Sequence, residues 1–321
     1  MSEIEIIRYS RIKGLNLFYN NVIYRSPHQH KDLEILLVLD QCMQINSAAS
    51  VLTVHKGDLV LLNPGVTHEL TSKDGCLFLC LHMDPAMYPG CSGLVFDTVD
   101  AGPYLSKEDR EGISAVLADI MEHYLRQQPD YELYCFSKAG LLLHKIMNKV
   151  PHRILSAREA MESSRRSELI RKLLKYVDEN YTGKVRLSDF ASAEGLSMHY
   201  LSHVISASLN QSFQEYVSSV RLNEAVRLIR DEDLKLTDIC YQTGFSDYRY
   251  FSQAFKKRFE MTPDEYRGSA AAKDHRDWST HSSHSSERFY TLEESLAITE
   301  ELSQNANLSN KPSVCTRNEN A

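Results

Sequence analysis

No stretch of the 321 residues approaches the roughly 20 consecutive apolar side chains needed to cross a bilayer as a helix. The opening residues, Met1-Ser2-Glu3-Ile4-Glu5, carry no basic segment leading into an apolar one. From these absences we expect a cytoplasmic protein with no membrane partner. The seven cysteines are odd in number and include no C-x-x-C pair, which argues against a disulfide framework and fits a reducing compartment. Cys76, Cys80 and His82 lie near one another, but their alternating spacing reads as strand positions, and a fourth soft ligand is missing. An excess of basic charge is also lacking. A net charge of −7 argues against a non-specific nucleic-acid coater, so any DNA contact must be local. No catalytic constellation stands out: Asp119-x-x-Glu122 reads as a solvated helix face, and the single tryptophan, Trp278, adds nothing. We therefore expect no enzyme and assign no catalytic residue.

What is present suggests two domains, each with its own core. Short aliphatic runs such as Leu33 to Leu39 and Leu59 to Leu62 are broken by Ser26-Pro27, Lys56-Gly57-Asp58, Asn63-Pro64-Gly65 and Lys73-Asp74-Gly75. This pattern predicts an antiparallel sandwich or barrel over residues 1–105. Residues 106–150 then read as two helices with matching apolar stripes, Ile113 to Tyr124 and Phe136 to Val150, joined by Gln128-Pro129-Asp130. So short a connection predicts an antiparallel pair, which could cover the barrel or pair with a second copy as a dimerisation element. Residues 151–167 are polar and read as the linker, residues 168–267 as all-helical, and residues 268–321 as a mostly disordered tail with one isolated helix near Tyr290 to Leu302. The segment from Arg165 to Arg267 carries sixteen basic against fifteen acidic side chains, while both flanks are acidic.

The helical part contains a repeat of about fifty residues. Leu187-Ser188-Asp189-Phe190-Ala191 is echoed by Leu236-Thr237-Asp238-Ile239-Cys240, and Gly195-Leu196-Ser197 by Gly244-Phe245-Ser246. The first block reads as an apolar residue, a hydroxyl cap and an acid at a helix start. In the second, glycine supplies the positive φ that ends the helix, an apolar residue plugs the angle, and serine caps the next helix. This is the grammar of two helix-turn-helix units. Leu201/Ile205 and Phe251/Phe255 face the core, and Phe213 to Ile229 reads as the helix between the units.

The string Gly244-Phe245-Ser246-Asp247-Tyr248-Arg249-Tyr250-Phe251-Ser252-Gln253-Ala254-Phe255-Lys256-Lys257-Arg258-Phe259, followed by Thr262-Pro263-Asp264-Glu265-Tyr266-Arg267, resembles the DNA-binding signature of AraC/XylS-family transcription regulators. The resemblance covers about residues 169–267. It implies an α+β protein of two domains: an N-terminal cupin-like β-barrel that senses an effector, followed by two helices, and a C-terminal all-α double helix-turn-helix domain. Helix register together with the resemblance assigns Arg249, Ser252 and Gln253 to base edges, and Lys256, Lys257 and Arg258 to phosphates. The first unit departs from the family pattern. Ser206-Ala207-Ser208 stands where basic residues are usual, no lysine or arginine lies between Arg186 and Arg221, and the expected contacts are His199, Ser202 and His203. Glu260-Met261 departs as well, replacing a usual glycine.

In the barrel region, His28, His30 and Glu34 form H-x-H-x-x-x-E. With Gly57-Asp58, Pro64-Gly65 and His68 they resemble the two cupin motifs. Three imidazoles and a carboxylate are a competent set for a divalent transition metal. The resemblance favours a different role, because such patterns recur in these sensor domains as the lining of a small-molecule pocket; we expect an effector pocket there, with no metal and no cofactor. The resulting expectation is a sequence-specific regulator, responsive to a small polar metabolite such as a sugar. Its partners would be a double-stranded DNA operator, a second copy of itself and, if it activates, RNA polymerase. An effector-independent regulator with a structural barrel, and a cupin metalloenzyme that also binds DNA, are the alternatives.

Overall fold

Alternation of side chains organises the N-terminal half. The computed structural model describes residues 11–47, 50–231, 233–269 and 285–309. Six strands come first: β1 (Leu15–His28), β2 (Leu33–Asp40), β3 (Cys42–Ser47), β4 (Val51–His55), β5 (Leu59–Leu62) and β6 (His68–Met83). The long β6 pairs antiparallel with β1 along one edge, and along its other edge first with β3 and then with β2. The sheet therefore curls around an interior. Leu36, Val38, Phe78 and Cys80 face that interior, whereas Leu33, Ile35, Leu37, Leu79 and Leu81 belong to a separate cluster beneath the helices. With both faces covered, β2 reads as a continuous apolar run. Within it Glu34 shares the period-2 face of Leu36 and points inward.

The helices over the sheet are α1 (Lys107–Arg126), capped by Ser106 and Asp109, and α2 (Tyr131–Met147). They run antiparallel, as the short connection predicts: Lys149 pairs with Asp109 at one end and the Tyr134 hydroxyl donates to Asp119 nearer the other. Their apolar stripes, including Ile113, Leu117, Ile120, Ala139, Leu143 and Ile146, join the outer cluster of the sheet.

Two expectations need correction here. The stretch 151–167, expected as a polar linker without a helix, is regular structure. It starts with β8 (His152–Ile154), paired with β7 (Leu94–Phe96), and continues into α3 (Ala157–Asn180). Its N-terminus has a Ser156–Glu159 capping box, and Arg158–Glu162 is an i,i+4 pair, so polar side chains sustain the helix without an apolar stripe. The tail carries the helix expected near Tyr290 to Leu302, as α10 (Leu292–Ser309), but it lies against α1 rather than alone, and an unexpected strand, β9 (Ser286–Phe289), adds to the free edge of β1. The remaining tail positions, 270–284 and 310–321, lie outside the described residues.

The C-terminal domain continues with α4 (Leu187–Glu194), α5 (Met198–Leu209), α6 (Phe213–Asp231), α7 (Leu236–Gln242), α8 (Tyr248–Phe259) and α9 (Pro263–Gly268). Its two cores divide along α6. Phe213, Val217 and Val220 pack with α3, α4 and α5, whereas Leu222, Ala225 and Ile229 pack with α7 and α8. One helix thus serves both units. Gly195 and Gly244 end α4 and α7 with φ of 66° and 87°, as the repeat predicts. The caps differ in detail: Ser188 and Thr237 fall inside the first turns of their helices, behind Arg186 and Lys235, and make no cap. Ser197 caps α5, but in the second unit the cap is Asp247 rather than Ser246, because the inserted residue shifts the helix start by one. Glu260 ends α8 in the left-handed region at φ 61°, a strain of roughly 1 kcal/mol.

Among the described residues no helix is long and apolar enough to cross a membrane.

Candidate nucleic-acid interface and sensor interior

Leu201, Ile205, Phe251 and Phe255 are buried, which turns the opposite faces of α5 and α8 to solvent. On α5, His199, Ser202 and His203 are exposed. On α8, Arg249, Gln253, Lys256 and Lys257 are exposed and Ser252 is half-buried. Arg258 contradicts its expected place on a phosphate-facing surface. Its guanidinium donates to Glu69 of β6 at 3.0 Å and to the Ser219 hydroxyl at 3.2 Å, and it lies over the Tyr24 ring of β1. A single residue step, about 100° around the helix, turns it away from the face of Gln253 and Lys257, and a buried carboxylate in the other domain receives it.

Tyr200 and Tyr250 escaped the sequence reading. They occupy the same position of the repeat and remain 48% and 59% exposed. The signal was available: tyrosine immediately precedes the buried Leu201 and Phe251 in both copies.

In the barrel, strand register assembles the second cluster. His28 stands opposite His68, and Glu34 opposite His82. All of these side chains are buried. Glu34 is the hub. Its Oε2 lies 2.8 Å from His30 Nε2 and 3.2 Å from His68 Nε2, while its Oε1 lies 3.3 Å from His82 Nε2 and accepts from the Cys80 thiol at 3.2 Å. Burial alone would raise the Glu34 pKa, but His82 foremost, with the contacts from His30 and His68, outweighs it and holds the carboxyl well below the usual range. His28 belongs to the cluster by ring contact with His68, centroids 4.1 Å apart, yet its Nε2 accepts from Arg25 Nε at 3.0 Å. Burial, then the neighbouring His68 and Arg25, hold the His28 pKa well below the ordinary imidazole value. Arg25 in turn pairs at 2.7 Å with Glu287 of β9. The four residues expected to line a pocket are therefore together, and His82, Cys80, Arg25 and Glu287 extend them. The even numbering of residues 80 and 82 was the legible sign that they share a strand face. Ligand atoms of His30, Glu34 and His68 lie within 4.8 Å of one another, as do those of Glu34, Cys80 and His82.

Comparison with known proteins agrees with both halves. A family model described as an AraC-like ligand binding domain matches residues 18–143, and one described as a helix-turn-helix domain matches residues 190–269. The uncharacterized HTH-type transcriptional regulator YdeC of Bacillus subtilis is 24% identical over 76% of this chain and 86% of its own length. The HTH-type transcriptional activator RhaS of Escherichia coli is 22% identical over 75% of this chain and 87% of its own length. Among solved structures, the C-terminal domain of the response regulator yesN from Fusobacterium nucleatum is 32% identical, covering 31% of this chain and 98% of that one, with a TM-score of 0.30. With a ligand-binding model and a helix-turn-helix model matched in that order, and regulators as full-length relatives, the chain belongs to the AraC family of DNA-binding transcription regulators.

Proposed function

We propose that the chain reads a two-part operator through α5 and α8, and that a small polar metabolite such as a sugar, bound within the barrel, shifts its DNA affinity. The observation that carries the DNA reading is the matched exposure of the two helix faces: His199, Ser202 and His203 on one, Arg249 and Gln253 on the other, with Tyr200 and Tyr250 beside them. Arginine and glutamine suit guanine and adenine edges, while Lys256 and Lys257 suit phosphates. The exposed tyrosines suit sugar–phosphate contacts. The buried His28, His30, Glu34 and His68 support the effector reading, since a few convergent polar groups in an otherwise apolar interior are what orient a hydroxylated ligand.

A second copy fits the outer stripe of α2, where Leu133 and Leu141 are 70% and 65% exposed on one helix face with Ser137 and His144. RNA polymerase enters as a partner if the protein activates.

Selection of bound duplexes from a random DNA library tests the reading. Enrichment of two short motifs spaced by about one helical turn, 10–10.5 base pairs, is expected. Recovery of no sequence preference refutes it.

A further inference from the structure

Glu287 enters the barrel interior on a strand of the tail. In the β1–β9 register it stands opposite Val22, which belongs to the interior cluster, so its carboxylate shares that face with Asn20. There it is fully buried, and a single oxygen, Oε2, accepts at 2.7 Å from Asn20 Nδ2 and at 2.7 Å from Arg25 Nη1. Its other oxygen, Oε1, and Asn20 Oδ1 are buried without a hydrogen-bond partner among the described residues. An unserved buried carboxylate oxygen bears its desolvation penalty uncompensated, and an ion pair in that state contributes little net stability. The misfit has a cause: Glu287 is tethered to its strand and cannot turn both oxygens to the donors. A free carboxylate can. The mounting is short as well, since β9 is four residues long and pairs along one edge of β1. The same guanidinium donates through Nε to His28 Nε2 at 3.0 Å, which joins this carboxylate position to the histidine cluster.

We propose that Asn20 and Arg25 form a carboxylate subsite of the effector pocket, that the effector is a small acidic metabolite such as a sugar acid, and that Glu287 occupies the subsite until the acid displaces it. The inference rests on the reading of the barrel as an effector pocket and names the class of effector. A hydroxylated acid suits both ends of the site: a guanidinium fork takes a carboxylate through two parallel bonds, and buried polar groups such as His28 orient hydroxyls. Displacement has a route to the DNA-binding domain. Ser286, the neighbour of Glu287, accepts at 2.9 Å from Arg230 of α6, the helix that both helix-turn-helix units share. When β9 leaves the edge of β1, that bond breaks with it. Acid and tail compete for one site, so the docked tail lowers the apparent affinity for the acid, and the bound acid lowers the population of docked tail.

Equilibrium dialysis of the full chain against radiolabelled D-glucuronate, D-gluconate and acetate, with neutral D-glucose beside them, tests the proposal. Uptake of one acid per chain is expected. It should tighten by at least about 10-fold in Glu287→Gln, where the competitor is weakened, and be lost in Arg25→Gln. In the wild-type chain the bound acid should also make residues 285–309 more sensitive to protease, a readout that needs no variant and decides the matter if Arg25→Gln does not fold. No uptake of any of the acids by the wild-type chain or by Glu287→Gln overturns the proposal. So does uptake that a folded Arg25→Gln retains, or that leaves the protease sensitivity of the tail unchanged. If D-glucose binds and shifts operator affinity while the acids do not bind, the effector pocket stands and the carboxylate subsite falls; if neither the sugar nor the acids bind, both readings lose their support.

Discussion

Arg249 and His203 stand on α8 and α5, the two helices proposed to read DNA, and they would bring different charge to it. Arg249 carries a permanent guanidinium with a fixed fork of donors, whereas a neutral imidazole adds little attraction to phosphate or base. The rest of the first unit does not compensate, since no lysine or arginine lies between Arg186 and Arg221. Arg249→Ala should weaken operator binding by about 1–3 kcal/mol, and His203→Ala by clearly less. A fluorescence-anisotropy titration giving equal or reversed losses rejects the ranking. Burial sets a different scale at Glu287, which is fully buried and accepts at 2.7 Å from both Arg25 and Asn20. Removing one partner of such an ion pair typically costs 3–5 kcal/mol. The short β9 strand can instead leave the barrel edge, which limits the loss to the free energy of tail docking. Glu287→Gln is therefore expected to lower the global midpoint modestly and to make residues 285–309 far more sensitive to protease; unchanged proteolysis would show that the ion pair does not hold the tail. His28, His30, Glu34 and His68 were readable because their spacing forms a compact pattern. Glu287 was not, since what makes it matter is a partner 262 residues away.

At the scale of elements, the helix-turn-helix units were the most legible part of the chain. Glycine, apolar plug and cap are local chemistry, and the chain repeats them. What the repeat did not disclose is that its two glycines have different jobs. A Cβ on Gly195 would meet nothing within 4 Å, so Gly195→Ala should cost only its left-handed strain, about 1–2 kcal/mol. A Cβ on Gly244 would stand 2.5 Å from the Tyr181 carbonyl oxygen and 2.9 Å from Thr182 backbone atoms. Backbone cannot swing aside as a side chain does, and overpacking adds about 1–3 kcal/mol to the strain. Gly244→Ala should therefore lower the chemical-denaturation midpoint of the C-terminal domain more than Gly195→Ala. Equal shifts would mean that the Tyr181–Gly183 turn yields, despite the bonds that Arg221 donates to its carbonyls. The helix at 157–167 and the strand at 286–289 were missed for the converse reason. Neither has an apolar stripe of its own; the first relies on a capping box and ion pairs, the second on the open edge of β1.

Across the whole molecule, the contacts that α5 and α8 make with the barrel converge on β1, β3 and β6. Asn210, which ends α5, donates to Asn46, and Asn46 donates to the same Glu69 that holds Arg258 at the end of α8. Both α5 and α8 are thus tied by their C-terminal ends to one pair of facing residues, Asn46 and Glu69, on the paired strands β3 and β6. In the basic run Lys256-Lys257-Arg258 nothing local distinguishes the third residue from the first two, and only the fold shows it drawn away from the exposed face. If DNA recruits Arg258 to a phosphate, the contact with Glu69 must break first, and its free energy is subtracted from operator affinity. Coupling of this kind typically amounts to 1–3 kcal/mol. Glu69→Gln removes the competing charge while keeping the shape of the side chain. It should raise operator affinity by about 5-fold or more with little change in the logarithmic dependence on salt, because the same phosphate contact forms in both proteins. Arg258→Ala should make that dependence shallower by about one unit. Anisotropy titrations of both variants over a range of salt concentrations decide the matter: if Glu69→Gln leaves affinity unchanged and Arg258→Ala leaves the slope unchanged, Arg258 stays with the sensor when DNA binds, and the tie is a fixed joint between the domains instead of a catch that DNA releases.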